Sequence, residues 1–103
     1  MAEYAVARPI RRPPTHPGML MAEILDDHVR MSVAEAARRM MVSRQSVHAV
    51  LCGRSAVTAD MALRFATLTG GAPELLVRMQ TARDLWRARQ RLASTLDRIA
   101  PAA

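Results

Sequence analysis

The sequence has no lysine, one cysteine and only three aromatic residues among its 103 residues. A single cysteine, Cys52, excludes an intrachain disulfide framework and a cysteine-based zinc site. With so few aromatic residues, any core must consist mainly of Ala, Leu, Val and Met. No apolar run approaches the roughly 18 residues of a membrane span, and no signal-peptide-like segment opens the chain. We therefore expect a cytoplasmic protein without a membrane partner.

Charge of one sign dominates: all 15 basic residues are arginine, and the formal net charge is +6. This balance favours an anionic partner, which is nucleic acid, a membrane surface or an acidic protein. Arginine suits bidentate contacts with phosphate and guanine, although a GC-rich genome explains the absence of lysine equally well. The length predicts one domain with tails.

The sequence also lacks a catalytic constellation. The three histidines fall in different predicted elements, and there is neither a nucleophile elbow nor a phosphate-binding loop. His28 has no metal-ligand partner four residues away, so we interpret it as a packed or rim residue on the apolar face of the first helix. We expect no enzyme activity, no metal and no cofactor.

Residues 32–54 hold two short apolar-periodic runs that only two residues separate. Ser32 and Ser43 each precede a run, where a hydroxyl accepts from the free N–H groups of a first helical turn. Gly53 ends the second run as a C-cap, and Cys52 is expected to be partly buried there. The apolar positions are Val33, Ala36, Ala37, Met40, Val47, Val50 and Leu51. This spacing predicts two helices that turn sharply against each other.

The solvent side of the second helix carries Arg44, Gln45, Ser46, His48 and Arg54. Such a pair is typical of a helix-turn-helix whose second helix enters a DNA major groove. An ordinary helical hairpin inside a bundle has the same spacing, so the rest of the chain must decide between the two.

Three more helices are predicted around this pair. Residues 15–18 open the first, Thr58 caps the fourth, and the glycines at 70–71 end it. Pro73 starts a fifth helix that should run to about Ile99. Residues 1–14 contain three prolines and three arginines, which predicts a flexible basic arm that contacts DNA or a partner, or has no role.

The first and last helices carry two further candidate surfaces. Glu23, Asp26 and Asp27, called the acidic surface below, form the one acidic patch of the chain. It is either a solvated face or a site for a cationic protein partner.

The last helix carries an apolar stripe opposite a row of arginines. The stripe contains Leu75, Met79, Ala82, Leu85, Trp86, Leu92, Ala93, Leu96 and Ile99, and the row contains Arg78, Arg83, Arg87, Arg91 and Arg98. At 1.5 Å per residue this helix is about 40 Å long, more than a small core can cover. We expect its second half to form a homodimer through Trp86, Leu92, Leu96 and Ile99, the alternative being a membrane surface.

Four segments together resemble one family: HPG at 16–18, VSRQSVHAVLCGR at 42–54, VTADMALRFA at 57–66 and GGAPELLVRMQ at 70–80. They are similar to those of HigA-type antitoxins, the Xre/Cro-like helix-turn-helix partners of RelE-fold ribonuclease toxins. The resemblance covers about residues 14–85. It implies an all-α, five-helix, lambda-repressor-like domain at 15–80. For residues 81–103, the extension of the last helix, dimerisation is expected from the apolar stripe alone.

The resemblance also implies roles for individual residues. Ser43, Arg44, Gln45, Ser46 and His48 match the DNA-reading positions, and Arg54 and Thr58 match positions near the phosphate backbone. Three departures stand out: Val33 replaces a usual Gln, Met41 stands where the turn usually has Gly, and Met19 replaces an acid.

The implied function is that of an antitoxin. It neutralises a cognate RelE/HigB-like toxin and, as a dimer, binds a palindromic double-stranded operator to repress its own operon. A stand-alone repressor and a helical interaction module without DNA binding remain as alternatives. A neighbouring gene for a small basic RelE-like protein distinguishes the antitoxin from the other two.

Overall fold

The structure is a computed structural model that describes residues 12–103, and within this range all regular structure is helical. The helices are α1 (Pro17–Glu23), α2 (Val33–Met40), α3 (Arg44–Leu51), α4 (Ala59–Thr69) and α5 (Pro73–Asp97). A π-helical turn, Ile24–His28, continues α1. The predicted all-α, five-helix architecture is confirmed. Most of the predicted arm, up to residue 11, lies outside the described residues.

Local cap signals set where the helices begin. The Ser32 hydroxyl accepts from the Glu35 N–H at 3.1 Å, and the Thr58 hydroxyl accepts from the Met61 N–H at 3.1 Å. Pro73 occupies the first turn of α5, where the missing N–H of proline would have had no helical partner. These starts were predictable because each depends on residues within one turn of the helix end.

The turn between α2 and α3 is a Schellman motif with an unusual residue in it. Met41 adopts left-handed backbone angles, φ 63° and ψ 43°. Its N–H donates to Arg38 O at 3.2 Å, and the Val42 N–H donates to Ala37 O at 3.0 Å, which is the bonding of that motif. Glycine is preferred at such a position because it carries no Cβ, so Met41 holds local strain.

The core lies where the five helices meet and consists mainly of aliphatic side chains and methionine. Its buried members are Met21, Leu25, Ala36, Ala37, Met40, Val47, Val50, Val57, Met61, Ala62, Phe65 and Leu76. The small Ala36 and Ala37 are almost completely buried, which permits the close crossing of α2 on α3.

The π-helical turn corrects one prediction. The Val29 N–H donates to Ile24 O, five residues back, at 3.0 Å. The extra residue in that turn rotates the side chains that follow it, since the 3.6-residue period no longer applies. Leu25 stays buried, whereas His28 is exposed, so of the two positions expected for His28 the packed one is wrong and the rim one agrees with the structure.

The predicted inner face of α5 is wrong in its first half. Leu75 is exposed, whereas Leu76 and Gln80 are buried. Arg83, predicted on the outer row, is half-buried and donates to Pro14 O at 2.8 Å. Because α5 docks on α4 and α1, positions 76, 80 and 83 face inward, and the neighbouring apolar stripe is left outside.

Candidate nucleic-acid interface

The N-terminus of α3 is fixed by two serines. The Ser43 hydroxyl accepts from the Ser46 N–H at 3.0 Å and lies 2.7 Å from the Ser46 hydroxyl. Both side chains are exposed. The Ser43 hydroxyl therefore caps the helix, and the Ser46 hydroxyl holds it in place. The cap presents the residues after Ser43 in a regular first turn.

Four of the predicted DNA-binding side chains converge on one exposed, shallow depression, called the α3 surface below. It is lined by Arg44, Gln45, His48 and Arg54. The first three come from adjacent turns of α3, and Arg54 comes from the loop behind its C-terminus. The lining carries two guanidinium groups, one amide and one imidazole and no carboxylate, a combination suited to phosphate and base edges.

Backbone bonds at the end of α3 place Arg54 on this surface. Gly53 takes a left-handed φ of 79°, and the N–H groups of Arg54 and Ser55 both donate to Ala49 O, at 2.9 and 3.1 Å. The chain therefore folds back over the last turn of α3. In a continued helix, Arg54 would instead lie more than one and a half turns beyond His48 and point to a different side.

Thr58 stands apart from these four. Its hydroxyl caps α4, and it does not line the α3 surface. The capping bond of Thr58 was predicted from the sequence, whereas its DNA contact stays a prediction.

The environment of Cys52 differs from the prediction. The side chain is exposed rather than partly buried, and its sulfur lies 3.4 Å from His48 Nε2. Residues four apart share a face of a helix, so Cys52 follows His48 on the outward side of α3.

Arg64 of α4 stabilises the turn that precedes α3, a contact that the sequence did not suggest. Its Nη1 donates to Met40 O at 2.6 Å, and its Nε donates to the Asp60 carboxylate at 2.9 Å. The guanidinium thus satisfies a carbonyl at the C-terminus of α2, where helix carbonyls have no intrahelical partner. Any change in this contact should alter the angle at which α3 is presented.

The start of α1 contacts the C-terminus of α3 directly. A methyl group at Gly18 would collide with the carbonyl oxygen of Val50, so only glycine permits this approach. His16 caps α1 by accepting from the Gly18 N–H at 2.9 Å, and its other nitrogen bonds Ser55 O at 3.0 Å. Burial, together with Arg83 and Arg87, lowers the pKa of His16, against the opposing effects of the Ser55 bond and Asp84.

The other predicted surfaces are also exposed. All three carboxylates of the acidic surface are solvent-accessible. On α5, Leu96 and Ile99 are 45% and 61% exposed, and Trp86 and Leu92 are half-buried. No group of three or more His, Cys, Asp or Glu residues in 12–103 is arranged to hold a metal. None of the helices described is long and apolar enough to span a bilayer.

The chain has recognisable relatives, although no protein-family model matches it. It is 30% identical over 69 residues to the uncharacterised HTH-type transcriptional regulator YddM of Escherichia coli, covering 67% of this chain and 72% of YddM. The solved structure of a HigA-family addiction module antidote protein from Coxiella burnetii is 32% identical, with a TM-score of 0.77 over 87% of this chain and 99% of that one. Antitoxin GraA, solved in complex with its operator, is 30% identical, with a TM-score of 0.80 over 95% of this chain and 98% of GraA. This chain belongs to the HigA family of helix-turn-helix antitoxins.

Proposed function

We propose that this protein binds a palindromic operator as a homodimer, represses its own operon and neutralises a RelE/HigB-like ribonuclease toxin. The observation that carries DNA binding is the α3 surface, where four predicted contact residues share one exposed depression. The relative GraA has been solved with its operator, which supports the same kind of target here.

The first turn of α3 supplies the base contacts in this proposal. Ser43 is the N-cap, so Arg44 and Gln45 stand in the part of the helix that enters a major groove first. Arginine can bridge O6 and N7 of guanine, and glutamine can pair with N6 and N7 of adenine. His48 lies one turn later on the same surface and reaches a base or a phosphate. Arg54, beyond the helix end, meets phosphate.

Two substitutions test whether α3 reads the bases while Arg54 contacts phosphate. The operator for this test is obtained by selection from random duplexes. Gln45→Ala should cost about 1–3 kcal/mol on the selected duplex and little on a scrambled one. Arg54→Ala should weaken both duplexes alike and reduce the slope of the salt dependence by about one unit for each phosphate that is no longer neutralised.

Titration of each variant against both duplexes at several salt concentrations separates these outcomes. Gln90→Ala, an exposed glutamine on α5, is the matched control and should bind as the wild type does. Equal losses on both duplexes for Gln45→Ala would show that α3 does not read sequence.

Dimerisation is assigned to the extension at residues 81–103. The 25 residues of α5 span about 37 Å, and the longest dimension of the molecule is 50 Å, so α5 extends past the core. Its exposed stripe is unfavourable in water, and a two-fold pair would bury Trp86, Leu92, Leu96 and Ile99 against the same residues of a second copy. Such symmetry presents two α3 surfaces to half-sites about one helical turn apart, or a multiple of it.

The acidic surface is the proposed contact for the toxin. A ribonuclease that holds RNA is cationic, and Glu23, Asp26 and Asp27 are the densest negative charge of this basic chain. All three are exposed on α1 and its π-helical extension. Charge complementarity of this kind speeds association and selects the partner. Because α1 and α3 carry the two sites separately, toxin and DNA binding can be tested separately.

A further inference from the structure

His16 is placed so as to hold the loop that follows α3. His16 as a whole residue is 5% exposed; its ring Nδ1 accepts from the Gly18 N–H, and its Nε2 lies 3.0 Å from Ser55 O. A histidine can accept at Nδ1 and donate at Nε2 only when it is neutral. These two partners therefore assign the Nε2–H tautomer, with the ring bridging α1 and the loop.

The bridge ends one residue from Arg54. On one side, the loop is tied to α3 by the two N–H bonds to Ala49 O. On the other side, the His16 ring packs against Gly53, where an added Cβ would stand 3.7 Å from the ring Cγ, and bonds the Ser55 carbonyl. The backbone that carries Arg54 is thus held between α3 and a residue of a different helix.

We infer that His16 is a positioning residue for DNA binding, whose bridge to Ser55 O holds the 53–55 loop so that Arg54 meets a phosphate in an already ordered conformation. This inference rests on the proposed function, because it requires Arg54 to contact DNA. His16 itself is buried and acts through Arg54. A loop that is ordered before binding loses less conformational entropy on association, which raises affinity.

Two substitutions at His16 separate the bridge from the cap. Asparagine is a good N-cap and retains an acceptor for the Gly18 N–H, but its side chain is too short to reach Ser55 O. Glutamine extends further and brings an amide N–H towards the position of Nε2, so it can restore the bridge. Neither side chain titrates, and both are compatible with a folded α1.

The expected DNA affinities of these variants follow if His16 affects binding only by positioning Arg54. His16→Asn should weaken binding to selected and scrambled duplexes alike, by about three- to tenfold, the range of one intramolecular hydrogen bond. His16→Gln should recover most of this loss. In an Arg54→Ala background, His16→Asn should have no further effect, because residues that act through one contact are not additive.

The double-mutant cycle is measured on the full-length protein, with far-UV circular dichroism to confirm folding. If His16→Asn proves unfolded, the cycle with His16→Ser and Arg54→Ala replaces it, because serine is also a good N-cap and is too short to reach Ser55 O, and that pair should also be non-additive. Unchanged affinity in folded His16→Asn, or an equal loss with and without Arg54, would overturn the inference. Failure of the wild type to prefer its selected duplex, or of Arg54→Ala to weaken binding, would instead contradict the proposed function.

Discussion

Replacing Met41 by glycine should stabilise this domain, because the backbone at Met41 is left-handed. A Cβ in that conformation crowds the following carbonyl oxygen, which costs roughly 1–2 kcal/mol. The Met41 side chain is 83% exposed, so its removal sacrifices little buried apolar area. Both hydrogen bonds of the turn are made by backbone atoms and persist in the variant.

The net change in the free energy of unfolding is the strain energy that is relieved minus a conformational-entropy term. The entropy term arises because glycine gives the unfolded chain more accessible conformations. That term is worth roughly 0.5–1 kcal/mol, which leaves a gain of about 0.75 kcal/mol in the free energy of unfolding at the middle of the two ranges. For a domain of this size, 1 kcal/mol corresponds to a rise of about 4–8 °C in Tm.

Thermal and denaturant unfolding of Met41→Gly should be compared with two controls at one fixed protein concentration, since the proposed dimerisation would make Tm concentration-dependent. Met41→Ala keeps the Cβ and should leave Tm almost unchanged. Leu63→Gly, at an exposed right-handed position inside α4, should lose roughly 1 kcal/mol. If Met41→Gly melts no higher than Met41→Ala, the left-handed turn is not strained and the reasoning fails.

Three other predictions concern the caps and surfaces. The pKa of His16 is lowered in the folded state from the ordinary 6.5, so its contribution to stability is complete above pH 6.5 and is lost as the pH falls towards the folded pKa. The free energy of unfolding should therefore fall more steeply below pH 6.5 in the wild type than in His16→Asn. The double substitution Leu92→Glu/Leu96→Glu should give a monomer of 11.4 kDa by light scattering. Alanine at all three positions of the acidic surface should reduce pull-down of the cognate toxin while leaving operator binding unchanged.

Each of these predictions has its own contrary result. If the free energy of unfolding depends on pH equally in the wild type and in His16→Asn, protonation of the His16 imidazole does not destabilise the fold. Ser94→Glu/Arg98→Glu places two carboxylates at the same spacing on the side of α5 away from the apolar side chains of the proposed dimer contact, and it should remain dimeric. A dimer in the Leu92/Leu96 variant would place the contact elsewhere on the protein. Undiminished toxin capture by the triple variant would remove the acidic surface from the interface.

The helix starts could be predicted from the sequence because capping is local chemistry. Ser32, Ser43 and Thr58 each bond an N–H three residues later, so the signal and its partner lie within one turn. The outward face of α3 could be predicted for the same reason, since one helical period determines which side chains oppose Val47 and Val50. The grouping of Arg44, Gln45, His48 and Arg54 followed from that period and from the helix stop at Gly53.

Contacts between distant segments could not be predicted, because no periodic pattern encodes them. Gln80 accepts from the Val57 N–H at 2.8 Å, and Arg83 bonds a carbonyl 69 residues earlier in the chain. A buried glutamine and a half-buried arginine on α5 contradict the rule that apolar residues mark the inner face. The register of α5 was therefore misjudged by one residue, with Leu75 predicted inside in place of Leu76.

These distant contacts explain how so short a recognition helix is held in place. Alone, the eight residues of α3 are too few to form a stable helix in water, and only Val47 and Val50 of α3 are fully in the core. Arg64 satisfies the turn before α3, His16 bonds the loop after it, and Gln80 bonds that loop again at Val57. Each of these three side chains makes a hydrogen bond to a backbone group that has no partner within a helix. Each side chain also comes from a different helix or from its cap. The orientation of α3 is thus a property of the whole domain, so substitutions at these three supports should weaken binding to all duplexes while the preference for the operator persists.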